Sequence, residues 1–295
     1  MLTQNEGANN GQYAPDLIHQ KALSFIETHK KESFFLYYAS PLPHAELVAP
    51  KVYMDKFIGK FNPENVYKAK PNTESLKKGE YAYQSQSHAA FVAMITLLDD
   101  QVGEIVAKIK ELGLEENTII IFTSDNGPHK EGGADPDYFN SNGPLRGYKR
   151  DLYEGGIRVP MIAKWKGKIA QGSKTNHISA FWDVMPTLAT LTNAKIEGSI
   201  DGISFLPTLL NKGSQTKHHH LYWEFHELGG RQAIRQGDWK LVKYNVNKNS
   251  NYQLYNLKND ISETIDLSSQ IPGKVAELSI ILESSRTESE VFQFK

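Results

Sequence analysis

Apolar residues recur at three- and four-residue spacing through Phe91, Met94, Ile95, Leu98, Val102, Ile105, Val106, Ile109 and Leu112. That spacing lines them along one face of a helix. Gly113 follows where a left-handed residue would end it. An earlier stripe at Ile18, Ala22, Phe25 and Ile26 predicts a helix opened by Pro15 and Asp16 and closed by the basic pair Lys30-Lys31, favourable to its dipole. Asp183 fits an N-cap for a helix over Val184 to Thr192, with Pro186 tolerated in the first turn. Val275, Leu278, Ile281 and Leu282 predict a last helix from about Pro272 to Ser284.

Short aromatic or β-branched runs mark the strands. Phe34 to Tyr38, Thr118 to Thr123 and Val159 to Trp165 alternate with the helical stripes, which predicts an α/β fold with a mostly parallel, layered sheet. From Val48 to about Tyr81, prolines, lysines and the Asn62-Pro63 and Lys70-Pro71 steps predict an irregular connection. The texture changes after Pro207. Leu221 to Phe225, Arg231 to Gln236, Trp239 to Tyr244 and Tyr252 to Leu257 are separated by Gly, Asp and Asn turns, so a small antiparallel sheet covered by the last helix is expected. The expected division is residues 1–214 and a carboxy-terminal subdomain 215–295, with the boundary among Lys212-Gly213-Ser214-Gln215. The polar, glycine-rich start, Asn5 to Gly11, reads more like a linker inside a longer protein than a beginning.

Composition narrows the function. With 39% hydrophobic and 23% charged residues, the 295-residue chain has the make-up of an ordinary globular protein. A formal net charge of -1 gives no electrostatic case for nucleic acid or an anionic membrane. No apolar run approaches the ~18 residues of a membrane span. The first residues lack the basic-then-apolar order of a signal peptide. Cysteine is absent, so disulfides are excluded and the redox compartment cannot be read.

The strand ending at Thr123 runs into Ser124-Asp125-Asn126-Gly127-Pro128. A carboxylate and a side-chain amide on a tight turn at the carboxyl end of a strand stand where open α/β sheets hold ligands and hard cations. Asp-Asn-Gly also populates plain turns for local hydrogen-bonding reasons. The loop Phe225-His226-Glu227-Leu228-Gly229-Gly230-Arg231 offers the same choice between recognition of anionic or hydroxyl groups and a structural turn; Arg235 belongs with it. Asp99 and Asp100 fit the polar face of the long helix, and Glu154 with Arg158 fits a structural ion pair around Gly155-Gly156. The triplet His218-His219-His220 reads as solvated surface or as transition-metal ligands.

Taken in order, Phe34-Phe35-Leu36-Tyr37 with Pro43-His44, Leu97-Leu98-Asp99-Asp100-Gln101-Val102-Gly103, Ser124-Asp125-Asn126-Gly127, Lys149 before Tyr153-Glu154-Gly155-Gly156-Ile157-Arg158-Val159-Pro160, and Asp183-Val184-Met185-Pro186-Thr187 resemble the type I sulfatases. The resemblance runs from about residue 15 to residue 245. It implies an alkaline phosphatase-like sheet, incomplete here, and hydrolysis of sulfate esters at a Ca2+ site. The implied ligands are Asp125 and Asn126, with Lys149 on the sulfate, His44 as proton donor to the leaving oxygen, and His226 and Arg231 framing the substrate. Sulfated carbohydrate or an aryl sulfate ester is the implied substrate class, and a full-length parent would be periplasmic or secreted. The formylglycine nucleophile of that family comes from Cys or Ser in C/S-x-P/A-x-R. The chain has no cysteine, and none of its serines is followed by that pattern; Ser87-His88-Ala89-Ala90-Phe91 comes nearest and lacks the arginine. The chain therefore resembles the carboxy-terminal part of a sulfatase, without the amino-terminal segment that bears the nucleophile. On its own it is expected to be inactive. A non-catalytic remnant that binds sulfated glycans, or a phosphatase or phosphonate hydrolase of the same superfold, are the alternatives.

Overall fold

Two compact units, Met1–Thr118 with His129–Ser141 and Ile119–Pro128 with Asn142–Lys295, make up the chain. The computed structural model describes residues 11–68, 81–248 and 251–294. Most of the linker-like start lies outside the described residues.

In the first unit, helix α1 spans Ala14–Thr28 and the short α2 spans Lys51–Met54. The long helix α3, Ser87–Glu111, stops just before Gly113, whose φ of 70° ends it as its sequence position implied. Ala90, Met94 and Leu97 on α3 pack with Leu42, Leu47 and Ala134. Asp100 is on the polar side of α3, where it accepts a hydrogen bond from Tyr53 Oη at 2.8 Å.

One expected strand does not form. Residues 34 to 38 take no regular secondary structure and belong to no ladder among the described residues, and Phe35 and Tyr37 are 71% and 69% exposed. A strand is defined by its neighbour, and aromatic β-propensity alone cannot supply one.

In the second unit, β1 (Ile120–Thr123) pairs antiparallel with β2 (Met161–Lys164). The expected parallel arrangement is not seen there. A parallel pair needs a crossover of a dozen or more residues that is usually helical, and among its described elements the connection here holds irregular turns, a single 3-10 turn at Glu131–Gly133 and the four-residue α4, Glu154–Ile157. Helix α5 (Val184–Thr192) has Asp183 at its N-cap position. The Asp183 carboxylate turns back to accept from the backbone N–H of Ala180 and Ile203, at 2.7 and 2.8 Å. Helix α6 covers Leu206–Leu210.

Strands β3 (Leu221–Phe225), β4 (Arg231–Gln236), β5 (Trp239–Tyr244) and β6 (Tyr252–Asn256) form one antiparallel sheet in chain order. Ile234, Leu241 and Leu254 pack on Leu278 and Leu282 of helix α7, Pro272–Ser284. The alternate residues Ala233, Val242 and Tyr255 pack on Leu152 and Tyr153. Both faces are therefore covered, which explains why consecutive residues in β4 and β5 are buried. Each fully buried aliphatic side chain of this kind contributes about 1.5–3 kcal/mol.

Candidate functional site

The Asp125-Asn126 turn leaves β1 at Thr123 and is fixed by its own side chains. Ser124 Oγ donates to the carbonyl of Asn126 at 3.0 Å, and Asn126 Nδ2 donates to the carbonyl of Gly127 at 2.9 Å. With its amide nitrogen so engaged, Asn126 keeps Oδ1 as an acceptor. Asp125 is exposed, and its carboxylate makes no hydrogen bond or ion pair among the described residues.

Gly127 ties this turn to the Glu154-Gly155-Gly156 segment. Its N–H donates to the carbonyl of Gly156 at 2.9 Å. A Cβ on Gly127 would stand 1.8 Å from the Gly155 oxygen, so only glycine allows this approach. One residue further on, the Pro128 carbonyl accepts the backbone N–H of Lys149 at 2.8 Å. The structure thus brings together the backbones that carry Asp125, Asn126 and Lys149.

Arg231 braces the Lys149 loop from β4. Its Nη1 donates to the carbonyl of Arg150 and to Asp151 Oδ1, the latter at 2.8 Å. Arg150 has a φ of 76°, a left-handed conformation that a non-glycine residue holds only when its surroundings impose it. Tyr244 accepts the Leu152 N–H at 3.0 Å, and burial pushes its phenol well above the usual value, so the ring stays neutral. The Arg231 guanidinium lies 4.6 Å from the centre of that ring. His226 is engaged differently, with Nε2 2.8 Å from Glu224 and its ring stacked on Phe294 at 4.7 Å. Glu224 also accepts from Tyr222 Oη at 2.6 Å and from Arg286 Nε at 3.2 Å.

His44 belongs to the first unit, where it is exposed. Its Nδ1 lies 2.6 Å from the Ala45 carbonyl, which can only accept, so Nδ1 carries a proton. The buried ring of His129 stacks on His44 at 5.0 Å with 18° between planes. His129 Nε2 donates to the Pro43 carbonyl at 3.1 Å, and its Nδ1 lies 3.0 Å from Glu131. Sequence reasoning passed over His129, although it follows directly on Asp125-Asn126-Gly127-Pro128.

Within the triplet, His218 is not solvated surface: its Nε2 lies 2.8 Å from the fully buried Asp183. Glu154 and Arg158 do form an ion pair, at 3.4 Å, but Lys240 and Arg235 approach Glu154 more closely, at 2.9 and 3.2 Å.

An exposed carboxylate beside a neutral amide oxygen is the donor set of a hard cation. Among the described residues no group of three or more His, Cys, Asp and Glu gathers to hold a metal. Asp125 and Asn126 offer two oxygen donors of the kind a hard cation takes, short of the full set that such an ion needs. No helix among the described residues is long and apolar enough to cross a membrane.

The chain combines helices with small antiparallel sheets, and its structural neighbours are sulfatases of the alkaline phosphatase-like fold. A crystal structure described as Ps i-CgsB in complex with k-i-k-neocarrahexaose has a TM-score of 0.74 at 28% identity, covering 94% of this chain and 55% of the other. The phosphonate monoester hydrolase SpPMH from Silicibacter pomeroyi, at 16% identity and a TM-score of 0.68 with 93% and 60% coverage, shares the fold. The sulfatase family model matches residues 2–194, and a model for the carboxy-terminal region of N-sulphoglucosamine sulphohydrolase matches residues 147–284. The chain belongs to the sulfatase family. It is 31% identical over 292 residues to an N-acetylgalactosamine-6-O-sulfatase of Bacteroides thetaiotaomicron, covering 92% of this chain and 51% of that protein. It is 32% identical over 228 residues to the N-acetylgalactosamine-6-sulfatase of Mus musculus, covering 76% and 37%. The chain spans about half, or less, of the length of these curated relatives.

Proposed function

We propose that this chain is the carboxy-terminal part of a hydrolase that removes sulfate from carbohydrate esters, with Asp125 and Asn126 as Ca2+ ligands, Lys149 on the sulfate and His44 at the leaving oxygen. The observation that carries the reading is the locked backbone of the second unit, in which Gly127 bonds to Gly156 and Lys149 bonds to Pro128. That locking fixes a cationic side chain's origin beside a turn bearing hard oxygen donors. Bound Ca2+ would supply positive charge for the non-bridging sulfate oxygens. A sulfate ester's leaving oxygen gains charge as the bond breaks, so a proton held at His44 Nε2 is the complementary group. Relatives named as N-acetylgalactosamine-6-sulfatases and a neighbour solved in complex with k-i-k-neocarrahexaose support a carbohydrate substrate. Arg231 contributes through the Arg150-Asp151 backbone that it holds.

The nucleophile is outside this sequence, since none of the 295 residues stands in a C/S-x-P/A-x-R context. The purified chain, incubated with a chromogenic aryl sulfate and Ca2+, is expected to show negligible turnover. Saturable release of the chromophore would overturn that part of the reading. Calorimetric titration is expected to show Ca2+ binding that Asp125→Ala abolishes; equal binding by both proteins would remove Asp125 from the site.

A further inference from the structure

A buried charge cluster in the second unit is built on Glu154, next to the glycines that bond to the Asp125-Asn126 turn. Glu154 and Glu263 are 1% and 0% exposed, and between them Lys240, also 0% exposed, places Nζ 2.9 Å from each carboxylate. Arg235 adds a second cation at 3.2 Å from Glu154. The two buried carboxylates thus meet Lys240 and Arg235, with the half-exposed Arg158 at 3.4 Å from Glu154, and it is such pairing that makes desolvated ions tolerable. A buried network of this kind adds little stability over an apolar replacement, yet it fixes where its backbones run.

The backbones in question lead to the ligand turn. Glu263 Oε2 accepts the backbone N–H of Glu154 at 2.6 Å, and its carbonyl accepts from Arg146 Nη1 at 2.8 Å. Next along the chain, the Gly155 N–H donates to the Arg146 carbonyl at 2.6 Å. Gly156 then receives the Gly127 N–H. No slack exists at these glycines. A Cβ on Gly155 would lie 2.3 Å from the Gly147 oxygen, and one on Gly156 would lie 2.1 Å from the Asp151 oxygen. A shift of Glu154 must therefore be passed to the Asp125-Asn126 turn on one side and to the Lys149 loop on the other.

We propose that Glu154, gripped by Lys240, Arg235 and Glu263, is a positioning residue that sets the geometry of the Asp125-Asn126 turn and of the loop bearing Lys149. This rests on the reading of Asp125 and Asn126 as cation ligands. Glu154 touches neither ion nor substrate itself, and the carboxy-terminal sheet acts on the site through it.

The test compares Glu154→Gln and Lys240→Met with Leu282→Ala, which cuts the core on the opposite face of the same sheet, using the full chain. Hydrogen exchange of the Gly127 amide and binding of Tb3+ as a Ca2+ substitute are measured alongside thermal stability. Glu154→Gln and Lys240→Met are expected to speed Gly127 exchange about tenfold or more and to weaken Tb3+ about tenfold. Leu282→Ala should lower stability with both site readouts unchanged. The proposal is overturned if Glu154→Gln leaves Gly127 protected, or if all three variants alter exchange in proportion to lost stability. Absence of Tb3+ binding to the unsubstituted chain would refute the cation reading, and the exchange result would still decide the positioning role.

Discussion

Residues 34–38 and the strands of residues 221–256 share an aromatic, β-favouring composition and have opposite fates. Leu221 to Asn256 fold into four paired strands with Ala233, Ile234, Leu241, Val242 and Leu254 fully buried. Phe34 to Tyr38 stay irregular, without a ladder among the described residues, and Phe35 and Tyr37 face solvent. The difference is the neighbour. Close turns let each strand of the small sheet find its partner within a few residues, as between Gln236 and Trp239, whereas a central strand depends on segments far away in sequence. Composition announces that a run can be a strand, and only topology makes it one.

Substitutions that remove an ion from the sheet's buried cluster are expected to have the largest effect. Lys240→Met takes the cation from Glu263 and leaves Glu154 only Arg235 and Arg158, and should destabilise the second unit by about 3–5 kcal/mol, measured by urea denaturation. Leu241→Ala, a cavity in the same sheet, is expected to cost about 2–5 kcal/mol in that assay. Tyr37→Ala should change stability by about 0.5 kcal/mol or less, because no packing is lost; a cost near that of Leu241→Ala would break the contrast between the two regions. Acid provides a subtler probe. Burial disfavours the charged form of Glu154, but Lys240 and Arg235 outweigh it and hold its carboxyl below the ordinary 4.5. Its contribution is thus present above that value and lost as pH falls through the lowered one. Burial pushes Glu263 up instead, against the pull of Lys240, so its protonation on acidification works in the opposite direction. Melting temperature against pH should therefore fall below about pH 4.5, and Glu154→Gln should flatten that acid limb.

Local patterns were legible where local forces decide. The stripe ending at Leu112 and Gly113 located the end of α3, and the turn residues between strands located β3 to β6 within a residue or so. The antiparallel pairing of β1 with β2 was not legible, since no short-range signal specifies a partner strand. The Asp125-Asn126 turn stood out because its residue types and its place after a strand agree with cation binding. What holds it did not. Glu154 looked like one half of a local ion pair with Arg158, while its nearer partners, Lys240 and Arg235, come from more than eighty residues away. His129 was hidden for a related reason, because a lone histidine carries no mark of the ring on which it stacks.

The two-sided covering of the small sheet bears on where the polypeptide can be cut. Leu152 and Tyr153 supply one of its apolar lids, and they precede the first strand of the sheet by more than sixty residues. A polypeptide excised from residue 215 onward would retain every strand and the α7 lid, yet it would strip Leu152 and Tyr153 from the face that bears Ala233, Val242 and Tyr255. Such a piece should clump rather than fold cleanly, so autonomy for this sheet begins upstream of the segment that contains Leu152 and Tyr153.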